Sequence, residues 1–255
     1  MRLVRAALVQ LLPLAAAAAA LGIWWLMKWA FSWQAFILPS PAEVARELWD
    51  RRGFLPGQTW TTLLETLEGF GIAIAIGVTL AILIAYSRPL ERSLYPLLVA
   101  LNAVPKLAIA PILVLWMGFG AAPKVAMVVL LCVFPIVLST ATGLASTAVE
   151  LEELVRSLGA TRVQAFRKVR FPAALPHVFV GLKVGISLAV IGAVIGEFVG
   201  ATRGLGYVIV ASGQSADTTL AFASITVLAT VSVVLFYVLI ALERLLVPWA
   251  RHEQQ

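Results

Sequence analysis

Long apolar runs alternate with short polar segments along this chain. Each run is about as long as a helix needs to cross a bilayer, which is roughly 20 mainly apolar residues. The pattern predicts an all-α integral membrane protein in which residues 1–10 precede a single transmembrane domain over 11–255. Its six predicted spans cover residues 11–31, 63–86, 94–118, 125–144, 174–199 and 218–242.

The first run has two interpretations. Arg2 and Arg5 precede an alanine-rich stretch, as in a secretory signal peptide. The apolar stretch continues past Gly22 to Met27, beyond the usual core of a signal peptide, which favours a retained spanning helix. Residues 36–60 are then expected to form an extramembrane loop.

The polar segments carry signals of their own. Ser40-Pro41-Ala42-Glu43 combines a capping box with proline at the first helical position, so a short helix is predicted to begin there. Pro105-Lys106 interrupts the third span, and Pro135 predicts a kink in the fourth. Residues 200–217 are expected to form a glycine-rich loop, whose last residue, Asp217, caps the sixth span.

The segment 147–173 is charged although it lies between two apolar runs. Its pattern predicts two short helices joined by a left-handed turn at Gly159. Thr147 and Glu150 form a capping box for the first helix, and Thr161 can cap the second.

The second of these short helices is predicted to end at Pro172, because proline cannot continue a helical hydrogen-bond ladder. Arg167, Lys168 and Arg170 precede it and suit the negative C-terminal end of a helix. A bent, charged protrusion of this kind is suited to docking into a groove on a soluble protein.

Composition and charge support a membrane location. The chain is 61% hydrophobic and only 13% charged, whereas soluble domains average about 25% charged residues. The formal charge of +6 comes from residues at the ends of apolar runs and not from a basic domain, which excludes nucleic acid as a partner. Lysine and arginine are more frequent on the side of the N-terminus, so both termini and the segment 147–173 are expected in the cytoplasm.

The sequence carries no catalytic motif. There is no G-x-x-x-x-G-K-[ST] loop to bind a triphosphate, no H-E-x-x-H and no nucleophile elbow. Ala211-Ser212-Gly213-Gln214 is only faintly similar to an ATPase signature. Cys132 is the single cysteine, which excludes an internal disulfide and a cysteine metal cluster. We therefore expect no enzyme activity, no metal and no cofactor in this chain.

Polar residues within the predicted spans have alternative roles. Asn102, Pro105 and Lys106 can line a pathway for an anionic solute, or Lys106 can snorkel to an interface or pair with a carboxylate. Glu197 can contact solute, pair with Lys106 or Arg203, or cap the loop that follows it. A structural role is favoured for Glu197.

The fifth span has two further features. Lys183 is expected to snorkel toward the cytoplasm. The spacings Gly181-x-x-x-Gly185 and Gly192-x-x-x-Gly196 permit close packing of this helix on a neighbour.

Several motifs in the sequence resemble those of one protein family. Glu153, Gly159, Val169, Phe171 and Pro172 have the spacing of the EAA loop of permease subunits from bacterial ABC importers, although Leu154-Val155 replaces its two alanines. The blocks NAVPKLAIAPILVLWMGFG, GAVIGEFVGATRGLGYVI and FILPSPAEV look like those of the nitrate, taurine and aliphatic-sulfonate branch.

The resemblance implies a type I, MetI-like bundle with a cytoplasmic coupling helix. It places Glu153, Arg156, Gly159 and Ala160 at or near the contact with a nucleotide-binding subunit, with Pro172 closing the motif. The implied assembly in the bacterial inner membrane is a pair of permeases, two cytoplasmic ATPases that bind ATP, and an extracytoplasmic solute-binding protein. The implied solute is small and often anionic, such as a sulfonate, taurine or nitrate, or else a vitamin precursor.

Two alternatives remain open at this stage. A secondary transporter driven by an ion gradient predicts several ionisable residues at mid-membrane and often internal repeats. A membrane scaffold predicts recruitment of a cytoplasmic protein without solute movement.

Overall fold

The structure is a computed structural model that describes residues 2–31, 34 and 36–249. The described residues form helices joined by short connections, with one π-helical turn over Phe166–Arg170. In chain order the helices are α1 (Arg2–Phe31), α2 (Pro41–Asp50), α3 (Leu55–Tyr86), α4 (Arg88–Ala103), α5 (Lys106–Met117), α6 (Ala122–Ala145), α7 (Val149–Ser157), α8 (Arg162–Ala165), α9 (Phe171–Gly200), α10 (Leu205–Gln214) and α11 (Thr218–Leu246).

Four stretches of the described chain are long and apolar enough to cross a membrane: α3, α6, the continuous helix Arg162–Gly200, and α11. The bent pair α4–α5 makes a fifth if it counts as one span. The described apolar part of α1 is the shorter stretch Ala15–Phe31. An all-α membrane protein is therefore confirmed, and the count of six spans stays a prediction.

Helix α6 lies at the centre, packed between α3 and α9. Close approach depends on glycines: a Cβ on Gly77 of α3 would lie 2.7 Å from the Ile136 side chain, and one on Gly192 of α9 would lie 2.8 Å from the Val128 backbone. Val128, Ile136 and Ile186 are buried in the resulting core. The glycine spacing in the fifth span therefore does bring this helix close to a neighbour, as predicted.

The expected loop over 36–60 differs from the structure only at its end, residues 55–60, which belong to α3. The capping box at Ser40 and Glu43 is present and α2 begins there, as predicted, but α3 already begins at Leu55. The polar first turns of α3 were excluded from the predicted span by hydropathy alone. In these turns Thr62 donates to Glu197 and Gln58 accepts a hydrogen bond from Gly204 N, so part of their polar surface lies inside the protein.

The third predicted span is two helices. Helix α4 starts at Arg88, inside the predicted connection, and ends before Val104 and Pro105; α5 then leaves at an angle of 94°. The predicted interruption is confirmed, but the bend makes the segment a broken span or a re-entrant pair, not one straight helix. Pro105 favours the break because it restricts Val104 to extended backbone.

Two more loop predictions are wrong. Pro172 does not end a helix, because the chain runs as one helix from Arg162 to Gly200. The π-helical turn just before Pro172 widens the helix where proline offers no N–H, so the ladder continues past it. The predicted glycine-rich loop over 200–217 contains α10, while Asp217 does cap α11 by accepting a hydrogen bond from Leu220 N.

The segment around α2 is tied to the ends of two apolar helices. Trp24 of α1 donates to Pro39 O at 3.0 Å, and Lys28 donates to the Glu43 carboxylate. The Lys28 hydrogen bond, with one from the Ser40 backbone, lowers the pKa of Glu43 to about 2. Thr218, at the start of α11, donates to Phe36 O at 2.5 Å.

Candidate functional site

The segment predicted to couple to a partner forms a bent elbow, defined here as residues 147–165. Helix α7 is followed by Gly159 in the left-handed region, with φ of +80°. Thr161 caps α8 in a reciprocal capping box with Gln164, as predicted. The capping box predicted at Thr147 is wrong, since α7 begins at Val149 behind an Ala148 N-cap that makes no side-chain bond.

The helical segment that follows the elbow is fixed to the ends of two other helices. Arg170 Nε donates to Leu144 O at 2.9 Å, at the C-terminal end of α6. A basic group there satisfies a terminal carbonyl and complements the helix dipole. The ring of Phe166 contacts that of Tyr86 at the end of α3, with centroids 5.3 Å apart. Arg170 therefore acts on α6, and not on the end of its own helix as predicted.

The residues predicted to couple to a partner differ in their exposure and position. Glu153, Arg156 and Gly159 are exposed, and Ala160 is half-buried. Pro172 lies beyond the elbow, half-buried inside the long helix.

The elbow also presents an apolar stripe that the sequence reasoning missed. Leu151, Leu154 and Leu158 recur at a spacing of three and four, so they lie on one face of α7 and its cap. Leu154 is 56% exposed and Leu158 is 78% exposed. The spacing was visible in the sequence, but the motif drew attention to the charged residues between the leucines.

Asn102, Pro105 and Lys106 meet at the bend between α4 and α5. Lys106 Nζ donates to Asn102 Oδ1 at 2.7 Å and to Asn102 O at 3.0 Å. The ammonium group thus satisfies carbonyl groups at the open end of α4. An apolar cavity of about 170 Å³ adjoins this bend and is lined by Asn102, Lys106 and side chains such as Leu101, Val133 and Phe134.

Glu197 lies in a buried network, with 1% of its surface exposed. Its Oε1 accepts a hydrogen bond from Thr62 Oγ1 at 2.7 Å, and its Oε2 accepts one from Gly206 N at 2.5 Å. Thr62 Oγ1 also accepts from Leu205 N at 2.9 Å. Glu197 thus caps the N-terminus of α10, where a carboxylate is favoured by the unpaired N–H groups and the dipole.

Two glycines allow this cap. Gly204 has φ of +111°, and a Cβ on it would overlap the Glu197 carboxylate. A Cβ on Gly206 would lie 2.7 Å from Glu197 Oε2. The network accounts for Glu197 without pairing to Lys106 or Arg203, and the side chain is enclosed within the subunit.

Two ion pairs between helices were missed. Lys124 at the start of α6 donates to Glu65 Oε1 of α3 at 2.5 Å, with both side chains buried. Lys183 of α9 donates to both oxygens of Glu243 in α11, at 2.9 and 3.1 Å. The expectation that Lys183 snorkels is therefore wrong, because a carboxylate on the neighbouring helix is within reach.

No group of three or more histidine, cysteine, aspartate or glutamate side chains is arranged to hold a metal within the described residues. Cys132 is buried and donates to Gly185 O at 3.1 Å. The polar side chains described above thus form helix-end caps, an exposed elbow and ion pairs between helices.

Residues 73–252 match the family described as binding-protein-dependent transport system inner membrane component. The chain belongs to this family. It is the permease, or membrane subunit, of an ABC importer; it is not an enzyme by itself. The resemblance found in the sequence is thereby confirmed, and the secondary transporter and the scaffold are not favoured.

Named relatives agree with this assignment. The permease is 39% identical over 217 residues to the riboflavin transport system permease protein RibX of Chloroflexus aurantiacus, covering 84% of this chain and 81% of RibX. It is 37% identical over 224 residues to the formylaminopyrimidine transport permease protein ThiX of Halalkalibacterium halodurans, covering 86% and 88%. It is 29% identical over 236 residues to the taurine transport system permease protein TauC of Escherichia coli, covering 90% and 86%.

The fold of the permease is also found in a solved transporter. A chain of the inward-facing MetNI methionine ABC transporter superposes with a TM-score of 0.66 at 22% identity, covering 78% of this permease and 97% of that chain. The expected MetI-like fold is therefore confirmed.

Proposed function

We propose that the elbow couples the permease to a cytoplasmic ATPase. The observation that carries this proposal is the stripe of Leu151, Leu154 and Leu158, which is exposed on the charged segment expected in the cytoplasm. An apolar stripe on a helix binds well in a groove of a partner, with the charged residues Glu153 and Arg156 at its rim.

The long helix suits the transmission of motion from the elbow. It runs without interruption for 39 residues from Arg162 to Gly200, a length of about 58 Å at 1.5 Å per residue. One end joins the elbow and the other carries Glu197, which holds the N-terminus of α10. Movement of the elbow by the ATPase would therefore reach the opposite end of the bundle through one rigid element, as alternating access requires.

The proposed assembly is that implied by the family. It contains a second copy of this chain, two ATPase subunits that bind ATP, and an extracytoplasmic solute-binding protein. The termini and the elbow lie in the cytoplasm, as the distribution of lysine and arginine favours. Asn102, Pro105 and Lys106 line the pathway at the bend, while Glu197 supports the pathway from within the subunit.

The solute is a small molecule of the vitamin-precursor or sulfonate class. The names of RibX and ThiX, the two more similar relatives quoted above, favour a nitrogen heterocycle, and that of TauC favours a sulfonate. Lys106 beside the cavity is compatible with the anionic group of a sulfonate. Competition for uptake by riboflavin, a formylaminopyrimidine and taurine separates these classes.

The coupling proposal is tested with Leu158→Ala. This change removes exposed apolar surface and leaves the fold intact, so the subunit stays in the membrane while the ATPase binds more weakly and uptake falls. Leu245→Ala is the matched control, since Leu245 is 76% exposed near the end of α11 and is not part of the elbow. Equal uptake by both variants, with normal retention of the ATPase, contradicts the proposal.

The orientation is tested with Leu158→Cys. Cys132, the single native cysteine, is buried, so a membrane-impermeant maleimide labels the new thiol selectively. We expect labelling in inverted vesicles from cells that express the permease without its ATPase, and none in intact spheroplasts. The reverse pattern places the elbow outside and overturns the coupling role.

A further inference from the structure

Helix α2 carries an exposed edge to which the proposed coupling assigns no role. Val44 is buried, and Leu48 packs with Leu220 of α11 in a small apolar cluster. The opposite side of α2 and its C-terminal turn present Arg46, Trp49 and Arg52 at helical spacing. These three residues are called the α2 edge below.

The α2 edge is aromatic and cationic. Trp49 is 68% exposed, and the Arg52 guanidinium lies 4.7 Å from the centre of its ring. Arg46 has no hydrogen bond or ion pair with any residue that the structure describes. By contrast, Arg51 pairs with Glu47 at 2.9 Å. Asp50 is the one exposed carboxylate of α2, so the edge is net positive.

The contacts of α2 indicate its depth relative to the bilayer. Its first turn is held by Lys28 in the last turn of α1, and the loop before it is held by Thr218, the first residue of α11. Arg51, just after α2, lies 3.9 Å from Asp217. Helix α2 therefore sits where two apolar helices meet the aqueous phase, which is the depth of the lipid headgroups.

Other exposed aromatic side chains occur at the same level. Trp29 near the end of α1, and Phe54 and Trp60 at the start of α3, are all exposed. Tryptophan is enriched at membrane interfaces because its ring is apolar and its N–H remains hydrated or bonded. A large exposed aromatic ring flanked by two guanidinium groups is better suited to the boundary between lipid phosphates and acyl chains than to bulk water.

We propose that the α2 edge binds the headgroups of anionic phospholipids in the outer leaflet. Trp49 inserts at the boundary between headgroups and acyl chains, and Arg46 and Arg52 contact the phosphates. The competing occupant, a docked solute-binding protein, is distinguished by the experiment below. The proposal rests on the family assignment for the membrane location and on the proposed orientation for the leaflet, and its readout does not require transport.

The test uses the intact permease–ATPase complex in nanodiscs of phosphatidylcholine with a minority of phosphatidylglycerol. The difference in tryptophan emission between the native complex and Trp49→Phe isolates the signal of Trp49. Two preparations are compared, with bromine near the headgroup end of the acyl chains of either phosphatidylglycerol or phosphatidylcholine. The mole fraction of brominated lipid is the same in both. Brominated phosphatidylglycerol is expected to quench Trp49 more strongly than brominated phosphatidylcholine.

Arginine variants test the role of charge. The double variant Arg46→Gln/Arg52→Gln is expected to abolish the lipid preference, with affinity for phosphatidylglycerol falling roughly fivefold for each guanidinium lost. Arg203→Gln removes an exposed charge from the loop before α10 and should keep the preference. Equal quenching by both lipids overturns the headgroup assignment. No quenching by either lipid, with an emission change on adding solute-binding protein, makes the edge a protein-docking surface instead.

Discussion

Replacing Lys124 by methionine would leave the Glu65 carboxylate buried without its partner. The two side chains are only 8% and 6% exposed, and the Nζ to Oε1 distance is 2.5 Å. Methionine keeps the aliphatic stem, which matters because α9 packs on Lys124 through Gly196. The substitution therefore removes the charge with little change of volume.

The expected cost is large. Removing one partner of a buried ion pair destabilises a protein by about 3–5 kcal/mol, because the remaining charge is desolvated and unpaired. Removing both charges is far less costly, and Lys124→Met/Glu65→Gln should recover most of the loss. Arg51→Met is the matched control, since Arg51 pairs with Glu47 on the surface, and such a pair contributes about 0.5 kcal/mol.

The assay is unfolding of the purified permease in one detergent at fixed protein concentration, followed by the midpoint of thermal denaturation. Lys124→Met should lower the midpoint strongly, the double variant should restore it, and Arg51→Met should leave it nearly unchanged. If Lys124→Met is as stable as the native protein, or if the double variant is less stable than the single one, the pair does not hold α3 to α6 as described.

Two further predictions address other parts of the fold. Gly192→Leu should destabilise the permease by at least 1–3 kcal/mol, roughly the cost of overpacking, because the new side chain meets the Val128 backbone; Gly71→Leu, which has open space around it, should be neutral in the same thermal assay. The Glu43 carboxylate has its pKa lowered to about 2 from the ordinary 4.5 by Lys28, so its contribution to stability is full above pH 4.5 and is lost as the pH falls toward 2. The difference in denaturation midpoint between native protein and Glu43→Gln should therefore be constant above pH 4.5 and shrink below it, whereas a difference that grows with acid contradicts the pairing.

Several local signals in the sequence predicted caps and turns correctly, although the capping box at Thr147 is absent. The capping box at Ser40, the left-handed turn at Gly159 and the cap at Thr161 each depend on a few adjacent residues, and all are present. The apolar runs gave the long helices for the same reason, since a helix in lipid satisfies its own backbone.

Predictions that depended on distant partners were incomplete. Hydropathy could not show that Thr62 bonds to Glu197, or that Glu65, although inside the predicted span, bonds to Lys124. It could not show that Lys183 finds Glu243 sixty residues along the chain.

The prediction that the helix ends at Pro172 is wrong for a different reason. Proline disrupts the interior of most helices, but a π-helical turn accommodates it here, and contacts with the ends of α6 and α3 hold that turn in place. Whether the helix continues past Pro172 depends on how this segment packs against neighbouring helices, which no local sequence pattern encodes.

The most direct test of coupling measures solute uptake and ATP hydrolysis together in proteoliposomes that contain the complete transporter. Gly159→Pro removes the N–H that bonds Arg156 O at 2.9 Å and cannot adopt φ of +80°, whereas Gly159→Asn tolerates that conformation. We expect Gly159→Asn to transport normally and Gly159→Pro to hydrolyse ATP without uptake driven by the binding protein. Normal uptake by Gly159→Pro, at the native ratio of solute to ATP, would contradict the claim that the elbow transmits force from a separate ATPase.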